Sequence, residues 1–442
     1  MWGTKWLGIT VIAVAILFTQ PFLRDYCNNA RDGWMATIHS AVKFPQEATS
    51  TSTITKAQPV VYTITPDSTG LKVDAEIFRT YLGSQISMLQ DPPPARAPTS
   101  SATTTIGNKC VYLFLEVAPS NRNAAVMHKE WGGTTGLEIM RTHCRIMVMV
   151  NTDQFTADIL DTPHLELLIC KTRQCVTFVQ QHQRNRIEKI PILFSGFTSM
   201  EVVATTTTTA TAVENDSAAT DLHRFAKFLH VAGSSPHKGT SNILQAWISN
   251  PQYPPLTITS HNNKLLDMIL KQMREQLGIV KLPPNIHHID TKLSREEISH
   301  IMSRHGVHLC LSGMEGFGHY LNEARSHQAL VVTTDYAPMN EMILHDDTGI
   351  LVPYTNMLEW TNGLPFANVG PVQIIEMMKQ VLLPMSLKAR AEMATKARTA
   401  FEKDRDKFQE RMQQFASYLQ HCDPSNSGDM VKCAKKFGLQ LE

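Results

Sequence analysis

The stretch 307–353 alternates three short apolar runs, 307–311, 330–332 and 350–352, with loops and segments of helical character. Strand, loop, helix, strand, loop, helix, strand is the order of a parallel sheet with helices on its faces, because a parallel neighbour is reached only through a crossover. Ligands on such sheets bind at the carboxyl ends of the strands, which puts residues 314–318 on the binding edge.

The chemistry of that edge is legible. Gly316 and Gly318 let the backbone approach a ligand closely. At the start of a helix from about His319, free amides and the positive end of the dipole face an anion such as a diphosphate. Glu315 in the loop and Glu323 just over one turn inside the helix bracket this turn, so the two carboxylates reach different parts of one ligand, a sugar hydroxyl and a ribose. The alternative is a pair of solvated helix-face charges.

Glu315-x7-Glu323 enclosing Gly316, Phe317 and Gly318, followed by VVTTD and TGILVP, resembles the donor-binding half of the retaining GT-B glycosyltransferases of the family-four, or group 1, type. The resemblance implies an α/β fold of two Rossmann-like domains facing a cleft. It also implies a hexosyltransferase that moves a sugar from a UDP- or GDP-linked donor with retention, using no metal or other cofactor. The resemblance returns at the apolar run 228–232 and the turn 233–239, GSSPHKG. Donor domains of this family place a GxxxxKG-like turn there, with the lysine against the diphosphate; this assigns Gly233, Ser234 and Lys238 to the donor. An ammonium beside a helix start is a sound phosphate clamp. Ser234 departs from the pattern, since many members carry a basic residue after the first glycine. Lys238 and Glu315 are the catalytic candidates, the one stabilising the leaving diphosphate and the other orienting the sugar. Glu323 would hold the ribose.

Upstream, 60–65 reads as a strand, 66–70 as a turn, and Val73, Ile77, Tyr81 and Leu82 share one face of the helix that follows. By the resemblance this loop faces the cleft, with Gly70 as its donor contact; a simple tight turn explains Gly70 equally well. Runs 111–117, 145–150, 165–169 and 190–194 read as further buried strands. Their polar ends give acceptor-side candidates: Asn151 and Asp153 after one, Lys171, Thr172 and Arg173 after the next. Members of the family often carry a histidine here; His128 and His143 are present but sit in no recognisable motif. Segment 118–138 either lines the acceptor site or is a surface excursion. Downstream, 256–259 and 286–289 read as strands, and Ser294 with Glu297 forms a capping box. Phe401, Phe408, Met412, Phe415 and Leu419 recur at helical spacing. By the resemblance this stripe packs back across the first domain; a dimerising helix is the alternative.

Composition bounds the partners. Lys and Arg number 41 against 40 Asp and Glu, so no basic excess exists to neutralise a nucleic acid. Residues 6–23 are apolar but for Thr10, Thr19 and Gln20, about long enough to cross a bilayer, and read as an anchor. A cleaved signal peptide is the alternative, but 18–21 offers no small-x-small site. Lys5 precedes the span, which orients a single-pass type II protein of the Golgi or endoplasmic reticulum with a lumenal body. Asn215 heads an N-x-S sequon and would be glycosylated there. The eight cysteines show no zinc-ligand spacing. Cys170 and Cys175 are too far apart for a C-x-x-C pair, Cys422 and Cys433 can close a short loop in an oxidising lumen, and Cys144, Cys170 and Cys310 are expected as buried thiols.

The expected organisation is a cytoplasmic tip and anchor at 1–24, a Ser/Thr-containing stem at 25–57 and an acceptor-side Rossmann-like domain at 58–200. A Thr-rich linker at 201–223, a nucleotide-sugar-binding domain at 224–397 and an amphipathic helix and tail at 398–442 complete it. The expected activity is transfer of a sugar from a nucleotide sugar to a glycan, protein or lipid acceptor. The rival is a membrane-tethered, non-catalytic nucleotide-sugar or glycan-binding protein on the same fold, motivated by Ser234 and the missing histidine. A sugar phosphorylase lacks its cofactor-lysine motif.

Overall fold

The computed structural model describes residues 60–64, 69–83, 86–89, 110–115, 144–152, 155, 157–162, 165–201, 222–233, 235–260, 264–278, 281–359, 364–422 and 429–442. The anchor and stem segments, Asp153, His128, His143, segment 118–138, Asn215 and Ser234 lie outside these residues.

The first half contains β1 (Val60–Ile64), α1 (Thr69–Leu82), β2 (Ser87–Leu89), β3 (Cys110–Leu115), β4 (Cys144–Val150), β5 (Leu165–Cys170), α2 (Arg173–His182) and β6 (Ile192–Phe194). The strands form one six-stranded sheet in the order β2-β1-β3-β4-β5-β6, and every pairing is parallel. The second half follows with β7 (Phe228–Val231), α3 (Thr240–Ile248), β8 (Leu256–Ser260), α4 (Lys264–Leu277), β9 (Ile286–Asp290), α5 (Arg295–Arg304), β10 (Val307–Cys310), α6 (His319–Ser326), β11 (Leu330–Thr334) and β12 (Ile350–Val352). These strands form a second parallel sheet, ordered β12-β11-β10-β7-β8-β9. A sheet covered on both faces needs strands without a polar side, and Ile146 to Val150 in β4 and Leu330 to Val332 in β11 are all buried.

A hairpin of β13 (Asn356–Glu359) and β14 (Pro365–Asn368), unanticipated from the sequence along with the short β2, then leads into α7 (Pro371–Met377), α8 (Leu387–His421) and α9 (Met430–Lys436). The expected boundary at 397/398 falls inside α8, a single 35-residue helix. Its first half joins the core of the second sheet through Met393 and Ala394, and Arg390 Nη1 donates to the Phe225 carbonyl at 2.6 Å. Its second half sends Phe408, Met412, Phe415 and Leu419 into the core beneath the first sheet. The apolar stripe is therefore consumed within the chain. The Ser294 and Glu297 capping box begins α5 as the sequence indicates.

Two expectations need correction. Cys170 is not a free thiol: the first turn of α2 brings Cys175 back to the end of β5, and the two form a disulfide. Cys422 and Cys433 are also joined, and Cys310 is a buried free thiol. The type II membrane placement in the Golgi or endoplasmic reticulum is corrected as well. A spanning helix needs about 20 consecutive apolar residues, and no helix among the described residues is long and apolar enough to cross a membrane.

Candidate active site

β7 and β10 are neighbours in the second sheet, so the turns leaving their carboxyl ends lie side by side. The Gly313 amide donates to the His237 carbonyl at 2.8 Å. Gly239 has φ of 72° and a Cβ there would stand 2.4 Å from the Leu311 carbonyl oxygen, so only glycine fits this crossing. The approach brings two distant residues together: Lys238 Nζ donates to Glu315 Oε1 at 2.6 Å, and Ser312 Oγ donates to the same oxygen at 2.6 Å. The Lys238 and Glu315 side chains are 19% and 18% exposed. Burial opposes both charges, but their attraction outweighs it: Lys238 is raised above the usual lysine range, and Lys238 and Ser312 hold the Glu315 carboxyl below the usual range. Burial lowers His237 and His230 to about 4, so near neutrality both rings are uncharged and Lys238 supplies the cation of this turn.

The glycines of the turn do different things. Gly233, exposed with φ of 57°, has open space where a Cβ would be. Gly318 is the N-cap of α6 with φ of 100°, a left-handed conformation that favours glycine. Gly316 faces protein: a Cβ there would lie 1.2 Å from Asn151 Oδ1, at the carboxyl end of β4 in the first half. Phe317 is turned away from the edge into the core under the first sheet, its ring centroid 5.3 Å from that of Phe197, so only its backbone remains for a ligand. Glu323 lies in α6, partly buried, where its charge is felt by Lys238. Gly70 is the second residue of α1 rather than part of a preceding turn.

Gly316→Ala should therefore push the two halves apart locally. Overpacking of this kind costs about 1–3 kcal/mol, readable as a lower urea midpoint. Asn151→Ala in the same chain should recover most of the loss; no recovery would mean that Asn151 is not what Gly316 makes room for.

The acceptor-side candidates Lys171, Thr172 and Arg173 are engaged in the fold. Thr172 caps α2 by accepting from the Cys175 amide at 3.2 Å. The Arg173 and Gln174 amides, at the start of α2, donate to the two carboxylate oxygens of Glu341 from the second half at 2.7 and 2.6 Å. Lys171 pairs with Asp74 of α1 at 2.9 Å, with side chains only 3% and 2% exposed. His319 Nε2, in the first position of α6, donates to the other Asp74 oxygen at 2.7 Å. Burial alone would raise the Asp74 carboxyl, but Lys171 and His319 hold it below the usual range.

Sequence reasoning missed Asp74, Ser199, His319 and Glu341. Asp74 did leave a signal: it sits among Leu71, Ala75 and Phe78 on the buried face of α1, and a charge on an apolar helix face requires a partner. Glu341 left none.

Residues 214–365 of the 442 match the family model described as glycosyl transferases group 1. Among solved structures, the chain resembles sucrose-phosphate synthase from Thermosynechococcus elongatus, with a TM-score of 0.54 at 10% identity over 82% of this chain and 99% of that one. It also resembles the structure described as trehalose-6-phosphate from E. coli bound with UDP-2-fluoro glucose, with a TM-score of 0.51 at 11% identity over 82% of this chain and 99% of that one. Pneumococcal O-GlcNAc transferase GtfA, in complex with UDP and GlcNAc, matches at a TM-score of 0.47 and 14% identity over 71% of this chain; the match spans only 58% of that protein. No curated protein matches the chain. The fold is GT-B, and within its second half residues 214–365 carry the likeness to the group 1 glycosyltransferases, in line with the sequence resemblance.

Proposed function

We propose that the chain is a retaining glycosyltransferase that moves a hexose from a UDP- or GDP-linked donor to a hydroxyl of a glycan, protein or lipid, without a metal. The observation that carries this reading is the Lys238, Glu315 and Ser312 cluster beside the start of α6. An ammonium has three N–H donors, so its bond to Glu315 leaves capacity for a diphosphate oxygen. Lys238 and the first amides of α6 stabilise the negative charge that develops on the leaving diphosphate, which is electrostatic catalysis. Glu315, kept ionised by Lys238, accepts from a sugar hydroxyl and orients the hexose, while Glu323 holds the ribose.

The test is a thermal-shift panel of nucleotide sugars on the purified chain, followed by two substitutions on whichever donor stabilises it. Glu323→Gln should weaken binding of the free nucleotide about tenfold, the loss of a charge-assisted contact. Glu315→Gln should leave nucleotide binding nearly unchanged and depress transfer. Donor binding that depends on Glu323, without transfer or hydrolysis of any donor, would replace the enzyme with a binding protein on the same fold. Indifference of all ligands to both substitutions would remove the donor-site assignment.

A further inference from the structure

His319 directly follows Gly318 and ties the ligand-facing edge of the second half to the first half. Both ring nitrogens are engaged: Nε2 with Asp74 Oδ1 at 2.7 Å, and Nδ1 with Ser199 Oγ at 3.1 Å. Ser199 Oγ also donates to the His319 carbonyl at 3.4 Å. Behind them, Lys171 Nζ holds Asp74 and lies 5.4 Å from the ring centroid of Phe197 and 6.0 Å from that of Phe317. Burying this set of charges carries a desolvation penalty that apolar contacts would not. What polar bonds add is direction, since a ring bonded through both nitrogens is fixed in one orientation. A second link between the halves, Arg295 with Glu76, is 35% and 44% exposed and so contributes little.

We propose that His319 is a positioning residue for sugar transfer: anchored on Asp74 and Ser199, it sets the first turn of α6, and with it Glu315 and the anion-facing amides, in the closed cleft. This rests on the donor-site reading above. The nucleotide lies on the second half alone in that reading, so the tie governs turnover and not nucleotide affinity. Misplacement of a reacting group by about 1 Å can cost on the order of a hundredfold in rate.

The experiment uses the full chain with His319→Ala and with the milder Ser199→Ala, which leaves Asp74 and Lys171 paired. Amide exchange at residues 316–322 should accelerate at least tenfold in His319→Ala and less in Ser199→Ala, with a larger scattering radius in solution. Titrations with UDP and GDP should give dissociation constants within threefold of wild type, while kcat for transfer falls at least tenfold at unchanged donor KM. Wild-type exchange and scattering in both variants would overturn the proposal. So would a loss that falls on nucleotide affinity, which would make His319 a donor contact. Should His319→Ala fail to fold, Ser199→Ala decides by the same measurements. A wild-type chain that binds neither UDP nor GDP removes the donor reading, and exchange and scattering then judge the tie by themselves.

Discussion

Lys238→Ala should lower sugar transfer by about a hundred- to a thousandfold, the usual consequence of removing one donor aimed at developing negative charge. Binding of the free nucleoside diphosphate should weaken less, by roughly ten- to a hundredfold, because a charge-assisted contact contributes about 1.5–3 kcal/mol. The difference between the two losses is the part of the contact that strengthens in the transition state. The geometry adds a second, independent readout. Burial pushes the Glu315 carboxyl up, and Lys238 is the largest influence pulling it back down. Without Lys238, among the described residues only Ser312 donates to Glu315 Oε1, so the Glu315 pKa should rise and the pH profile of residual turnover should shift upward on its acid limb. Titration calorimetry and steady-state rates across pH check both statements. An unchanged nucleotide affinity would return Lys238 to an ordinary surface lysine paired with a carboxylate.

Asp74→Asn should destabilise the chain by roughly 3–5 kcal/mol at pH 7, because it removes the carboxylate charge that faces the buried Lys171 ammonium. The pH dependence follows from the direction of the Asp74 shift. Its folded pKa lies below the ordinary aspartate range, so its contribution is complete above the unfolded value, near 4, and is lost as pH falls through the folded value. Wild type and variant should therefore differ most at neutral pH and converge below about pH 4, as wild-type Asp74 itself takes up a proton. Urea unfolding at a series of pH values reads this directly. A gap that stays constant down to low pH would assign the loss to packing rather than to charge.

Much of the candidate site was legible because its signals are local. A glycine-bracketed turn after an apolar run, carboxylates eight residues apart and a lysine before a helix start can each be read without a partner in view. The contacts between the halves were illegible for the opposite reason. Gly316 reads as room for a ligand, and its Cβ position is taken by Asn151, which is far away in the chain. Phe317 reads as part of a donor turn, and it fills a core made by the other sheet. Glu341 has no motif at all, yet it satisfies two amides at the start of α2.

The sequence by itself determined the alternation of apolar runs and helices, and hence two parallel sheets, the carboxyl edge on which the candidate site is built, and the amphipathic stripe of α8. These follow from periodicity and turn chemistry acting over a few residues at a time. Only the tertiary structure decided that β7 lies beside β10, which makes Lys238 and Glu315 an ion pair, and that α1, β5 and α6 converge on Asp74. Such pairings depend on strand order and on how two halves pack, and buried charges are tolerated only where that packing brings their partners within hydrogen-bonding reach.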